Sequence, residues 1–328
     1  LVVTGGLAGT TVTLGGDITD LGAITLNASG SAGSIVASFG DDALVQTNNA
    51  DAISITGGAG TTDVVHADMT GTDTGSFTMT GVETLHIHSS GTTATNTVNL
   101  ANVSGVTELI LDDEGGTAED VTITGYSGHS VTLGQDNGSS TDVDLDAVTV
   151  TLTQTVTSGT SDTANVTLEV TGATNGLTNA VTIAADGMET INLTVFDDEG
   201  TSTGNDHNIA VTNTNTNAAT INVTGADTNG DLTLSGVAAS VTTIAAGSFA
   251  GDLVVNASAR GSDAMTITAG TGADTIAMEN VADVLTGGAG TESDELVVTF
   301  AGTGGATVID LSSTTDQITL FNGVANSA

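Results

Sequence analysis

The chain contains no cysteine, no proline and no tryptophan, and Arg260 is the only basic residue among its 328. Without cysteine, a disulfide framework and a thiolate metal site are both excluded. One base stands against 39 acidic residues, for a net charge of −38. Phosphate backbones and anionic lipid surfaces are bound through Lys and Arg, so neither nucleic acid nor membrane insertion is expected. No run approaches the roughly 18 consecutive apolar residues of a helical membrane span. Aromatic residues make up 2% of the chain and Tyr126 is the only Tyr. A core of Val, Ile, Leu and Ala suits narrow stacked β layers better than a bulky globular centre, and sugar subsites built on Trp or Tyr stacking are not expected.

What remains is aliphatic. Hydrophobic residues are 38% of the chain and its mean hydropathy is +0.21, so enough Val, Ile, Leu and Ala is present for a continuous core and simple disorder is not expected. Short alternating runs recur: Ala23 to Leu26, Ala52 to Thr56, Val121 to Thr124, Val148 to Leu152, Ala164 to Leu168, Thr220 to Thr224 and Asp231 to Leu234. Each reads as a strand with one buried face, and Gly, Asn, Asp and Ser clusters between them supply turns. No amphipathic helix of useful length is found, so the fold is expected to be all-β.

A phrase repeats. Gly81-Val82-Glu83-Thr84-Leu85 is echoed by Gly105-Val106-Thr107-Glu108-Leu109 and by Gly187-Met188-Glu189-Thr190-Ile191. The first two copies lie 24 positions apart, which suits one coil of a solenoid whose strands stack about 4.8 Å apart. The expected architecture is a right-handed parallel β-solenoid with glycine/aspartate turns over residues 1–328. A bend or sub-boundary is expected near 153–162 and near 212–218. Because the chain starts mid-strand, it is expected to be part of a longer protein. Tandem β-sandwich domains are the alternative.

The acidic residues collect beside glycine turns. Carboxylates a few ångströms apart repel unless a cation lies between them, and oxygen-only sites of this kind favour calcium. The candidate ligands are Asp41, Asp42, Asp51, Asp63, Asp112, Asp113, Glu114, Asp120, Asp197, Asp198, Asp206, Asp227, Asp231, Asp263, Asp274, Asp283 and Asp294. Asp136, Asp142, Asp144 and Asp146 form a lesser group, the last three on one strand face. His86 and His88 also share a strand face, as two zinc ligands do. No third ligand is evident, so both are expected to be exposed surface residues. The sequons at Asn27, Asn102, Asn165, Asn192 and Asn222 are read as composition, since several fall inside strands.

The segments Gly270-Thr271-Gly272-Ala273-Asp274-Thr275-Ile276 and Asp283 to Gly290, with a looser counterpart from Gly57 to Val64, resemble the Gly- and Asp-rich nonapeptide of RTX proteins. The match covers about 80 residues, and Thr61-Thr62-Asp63 and Thr291-Glu292-Ser293-Asp294 carry extra residues before the aspartate. With its Thr-, Ala- and Gly-rich composition, the chain looks like calcium-binding bacterial S-layer and related surface proteins of the RTX class. That resemblance implies type I secretion, an extracellular cell-surface location, folding on Ca2+ and a structural role. Expected partners are copies of the chain itself, in a lattice or filament, and cell-surface polysaccharide through flanking segments. A segment of a large calcium-dependent RTX adhesin is the alternative. No enzyme activity is expected: acidic-glycan lyases need basic residues for their intermediates, and no Gly-x-Ser-x-Gly nucleophile elbow is present.

Overall fold

The computed structural model describes residues 2–4, 8, 11–13, 23–40, 44, 53–69, 74–89, 95–113, 120–133, 149–154, 161–170, 181–197, 206–214, 217–228, 230–257, 264–278, 284–288, 295–300, 308–310 and 317–322. Among them every element is a β-strand, and the strand pairings are parallel. The chain is a parallel β-solenoid. It divides into two compact units, Leu1–Thr155 and Val156–Ala328, the division falling inside the 153–162 stretch. The 212–218 stretch lies within the second unit, as the connection between strands Asp206–Thr212 and Ala219–Gly225.

In the first unit three sheets share the coils. One stacks Val2–Thr4, Thr25–Gly30, Ser54–Thr56, Thr78–Thr80 and Val103–Ser104. A second stacks Thr11–Thr13, Ser34–Phe39, Val64–Met69, Thr84–Ser89, Glu108–Asp113 and Ser130–Leu133. A third takes in Thr74–Ser76, Thr95–Asn99, Asp120–Tyr126 and Thr149–Gln154. In the second unit two sheets alternate along the chain, one beginning with Thr163–Val170 and Thr190–Asp197, the other with Val181–Ala184 and Asp206–Thr212. Sandwich domains need antiparallel neighbours, so the alternative fold is excluded for the described strands.

Like residues stack in register along the interior. Ile191, Ile221, Ile244, Ile267 and Leu285 are successive partners on five neighbouring strands, each at most 3% exposed. Val65, Leu85, Leu109 and Val131 form the corresponding column in the first unit, all fully buried. β-Branched and leucine side chains fill a narrow pleated interior without aromatics, and each buried side chain contributes about 1.5–3 kcal/mol of transfer free energy. The outward positions carry Thr, Asn, Asp and His, which is why the period-2 pattern was legible.

An outward asparagine column links three coils of the second unit. Asn192 Nδ2 donates to Asn165 Oδ1 at 2.8 Å, and Asn222 Nδ2 donates to Asn192 Oδ1 at 2.8 Å. Three of the sequons therefore have a structural use, because the side-chain amides are bonded to one another along the coil axis.

Candidate functional site

The repeated phrase is a corner. Its glycines, Gly81, Gly105 and Gly187, have φ of +63°, +98° and +83°, a backbone region L-residues avoid. The following residue, Val82, Val106 or Met188, turns into the core. Next comes Glu83 or Glu189, whose carboxylate reaches back one coil. Glu83 Oε2 accepts the amide of Asp63 at 2.8 Å, and Glu189 Oε2 accepts that of Asp162 at 2.9 Å. In return the Asp162 carbonyl accepts the amides of Glu189 and Thr190, both at 3.0 Å. The middle copy has Thr107 at the glutamate position. There the Glu83 carbonyl still accepts the amides of Thr107 and Glu108, at 2.9 and 3.2 Å, while Glu108 Oε1 accepts the Thr132 hydroxyl instead.

Among the described residues, two aspartates of the RTX-like turns also face backbone amides. Asp63 is fully buried; its Oδ1 accepts the Ile35 amide of the preceding coil at 2.7 Å and its Oδ2 the Gly58 amide at 2.6 Å. Asp274, 1% exposed, accepts the Leu253 amide through Oδ1 at 2.9 Å. Asp231 and Asp252 continue the same corner, with Asp252 N donating to Asp231 Oδ1 at 2.8 Å and Ala273 N to Asp252 Oδ1 at 2.6 Å. These carboxylates terminate strands by binding the amide dipoles of adjacent coils. Each oxygen of Asp63 thus accepts a backbone amide, a use that the sequence reading did not include.

Other expected ligands are spread along the solenoid. Asp120 is exposed and accepts the Thr149 amide at 2.9 Å. Asp227 is half-buried in the connection before strand Asp231–Val237. Asp112, Asp113, Asp197 and Asp206 lie at strand positions with side chains outside the description, and Asp206 is the register partner of Asp231. Asp41, Asp42, Asp51, Glu114, Asp198, Asp263, Asp283 and Asp294 lie outside the described residues, as do Asp136, Asp142, Asp144 and Asp146.

The expectation for His86 and His88 is corrected: they are buried, 3% and 6% exposed, and a third histidine joins them. His66, half-buried on strand Val64–Met69, is the register partner of His86 on Thr84–Ser89, and His88 follows two residues on. Each of the three offers a ring nitrogen, and those atoms all lie within 4.8 Å of one another. Ring centroids are 4.1 Å apart for His86 and His88, 5.0 Å for His66 and His86, and 5.9 Å for His66 and His88. Sequence reasoning found no third ligand for His86 and His88. The signal was one coil earlier, 20 positions before His86, where parallel in-register stacking brings the two residues side by side.

His207 is a different case. It occupies an inward position in register with Leu232, is fully buried, and neither ring nitrogen has a hydrogen-bond partner among the described residues. Burial pushes its pKa down to about 4, so the imidazole is neutral in the fold.

No family model, no curated protein and no solved structure matches this chain.

Proposed function

We propose that this chain is a structural, extracellular, calcium-binding β-solenoid that assembles with copies of itself into a surface layer or filament. The observation that carries this reading is the register match of Asp206 with Asp231 on adjacent parallel strands, in a chain with a single basic residue. Like charges at paired register positions of a sheet are destabilising, and the whole chain offers one Arg and no Lys to relieve them. Oxygen-only donors one coil apart suit calcium, which takes carboxylates and backbone carbonyls together. Calcium would couple metal binding to folding within a chain, and it would lower the repulsion between acidic surfaces of neighbouring chains. Asp206, Asp231, Asp227 and the acidic residues of the Gly261 to Asp294 segment are the positions assigned to it.

Circular dichroism at low salt with calcium, with magnesium and with EGTA tests the metal. A β spectrum and thermal midpoint indifferent to EGTA would remove calcium as the folding partner. Negative-stain imaging in calcium tests assembly: ordered sheets or filaments are expected, whereas isolated elongated monomers would favour the adhesin segment.

A further inference from the structure

We infer that His66, His86 and His88 form a nitrogen-donor site for one zinc-class transition cation bridging two successive coils, separate from any calcium position. The backbone sets the arrangement. Parallel pairing places His66 and His86 in register on neighbouring strands, and the period of two returns His88 to the same face. Three ring nitrogens thereby converge to within 4.8 Å of one another. Tetrahedral zinc with Zn–N bonds of about 2.0–2.1 Å needs nitrogens roughly 3.4 Å apart, a contraction that small rotations of the imidazoles provide. Two of the three histidines are almost wholly buried, and the register partner of His86 on the next strand is Ile110, itself 7% exposed.

The electrostatics favour a cation. Asp68, on the same strand as His66, is the register partner of His88, and the chain carries 39 acidic residues against one Lys or Arg. The donor type then decides which cation. Imidazole nitrogen suits zinc, copper and nickel, whereas calcium and magnesium prefer oxygen. Hence a protein saturated with calcium still has this site to offer. Bound there, the ion would tie the coil of Val64–Met69 to that of Thr84–Ser89 in the first unit.

The test uses the full chain in excess calcium, which occupies surface carboxylates, with Zn2+ and Co2+ as probes. Equilibrium dialysis should find one zinc per chain retained against calcium, and cobalt should give the strong visible absorption of a four-coordinate ion held by three nitrogens and a water. His86→Gln and His88→Gln should each weaken zinc at least about tenfold, while His207→Leu should leave it unchanged. If a buried-histidine variant loses its β spectrum, His66→Gln, at the half-buried position, carries the same prediction. Zinc affinity equal in the wild type and His66→Gln, or a weak six-coordinate cobalt spectrum, would overturn the assignment. Calcium dependence of folding is read separately with EGTA, so failure of either reading leaves the other measurable.

Discussion

Glu189 and Asp162 exchange hydrogen bonds across one coil: the Glu189 carboxylate accepts the Asp162 amide at 2.9 Å while the Asp162 carbonyl accepts the Glu189 amide at 3.0 Å. Glu83 and Asp63 repeat the exchange in the first unit. The glutamate of the repeated phrase is thus a strand-capping group, comparable in logic to a helix capping box, where side chain and backbone satisfy each other reciprocally.

Glu189→Ala is expected to destabilise the second unit by about 1–2 kcal/mol, because the Asp162 amide loses its acceptor. Glu189→Gln keeps an acceptor oxygen and should lose less than half of that. Urea unfolding in calcium and in EGTA checks both. A loss seen only in calcium would mean that the carboxylate acts as a metal ligand instead.

His207→Leu is expected to stabilise the protein, and more so in acid. At pH 8 the gain is about 1–2 kcal/mol, from removing a buried imidazole whose nitrogens lack partners. The folded pKa of about 4 lies below the ordinary 6.5, so between these values the unfolded chain binds a proton that the folded chain does not. The wild type therefore loses stability as pH falls through that window, by about 3 kcal/mol in all. Paired denaturation curves from pH 8 to pH 4 should diverge by this amount; parallel curves would place His207 in a wetter setting.

Asn192→Ala should cost about 1–2 kcal/mol by breaking both links of the Asn165, Asn192 and Asn222 column. Asn192→Asp should cost at least as much, because the new oxygen replaces the Nδ2 donor and faces the Asn165 Oδ1 acceptor. Thermal unfolding of the two variants reads this out.

Gly251→Ala should destabilise by about 1–3 kcal/mol. A Cβ at Gly251 would overlap the Gly230 carbonyl oxygen of the neighbouring coil, a backbone atom that cannot move aside cheaply. Gly128→Ala, where a Cβ meets nothing within 4 Å, isolates the strain of its φ of +83° and should cost about 1 kcal/mol. Chemical denaturation of both variants separates close packing from backbone strain.

Much of the fold was legible because its signals are local. Alternation in Thr220 to Thr224 marked the strand Ala219–Gly225, and that in Ala164 to Leu168 marked Thr163–Val170. The candidate site was less so. The amides that Asp63 binds belong to Ile35 and Gly58, and the Ile35 partner, 28 residues away, is set by coil length rather than by any motif. Likewise His66 stands beside His86 only once the register between their strands is known.

Composition and period by themselves determined an all-β chain of stacked aliphatic coils with an acidic exterior, since a side chain's preference for core or water is a property of the residue. Tertiary structure alone decided which residues meet: that Glu83 and Glu189 cap strands, that Asp63 serves the backbone, that His207 is dry, and that three histidines converge. Those outcomes depend on the register between parallel strands, where a shift of one residue would send every side chain to the opposite face.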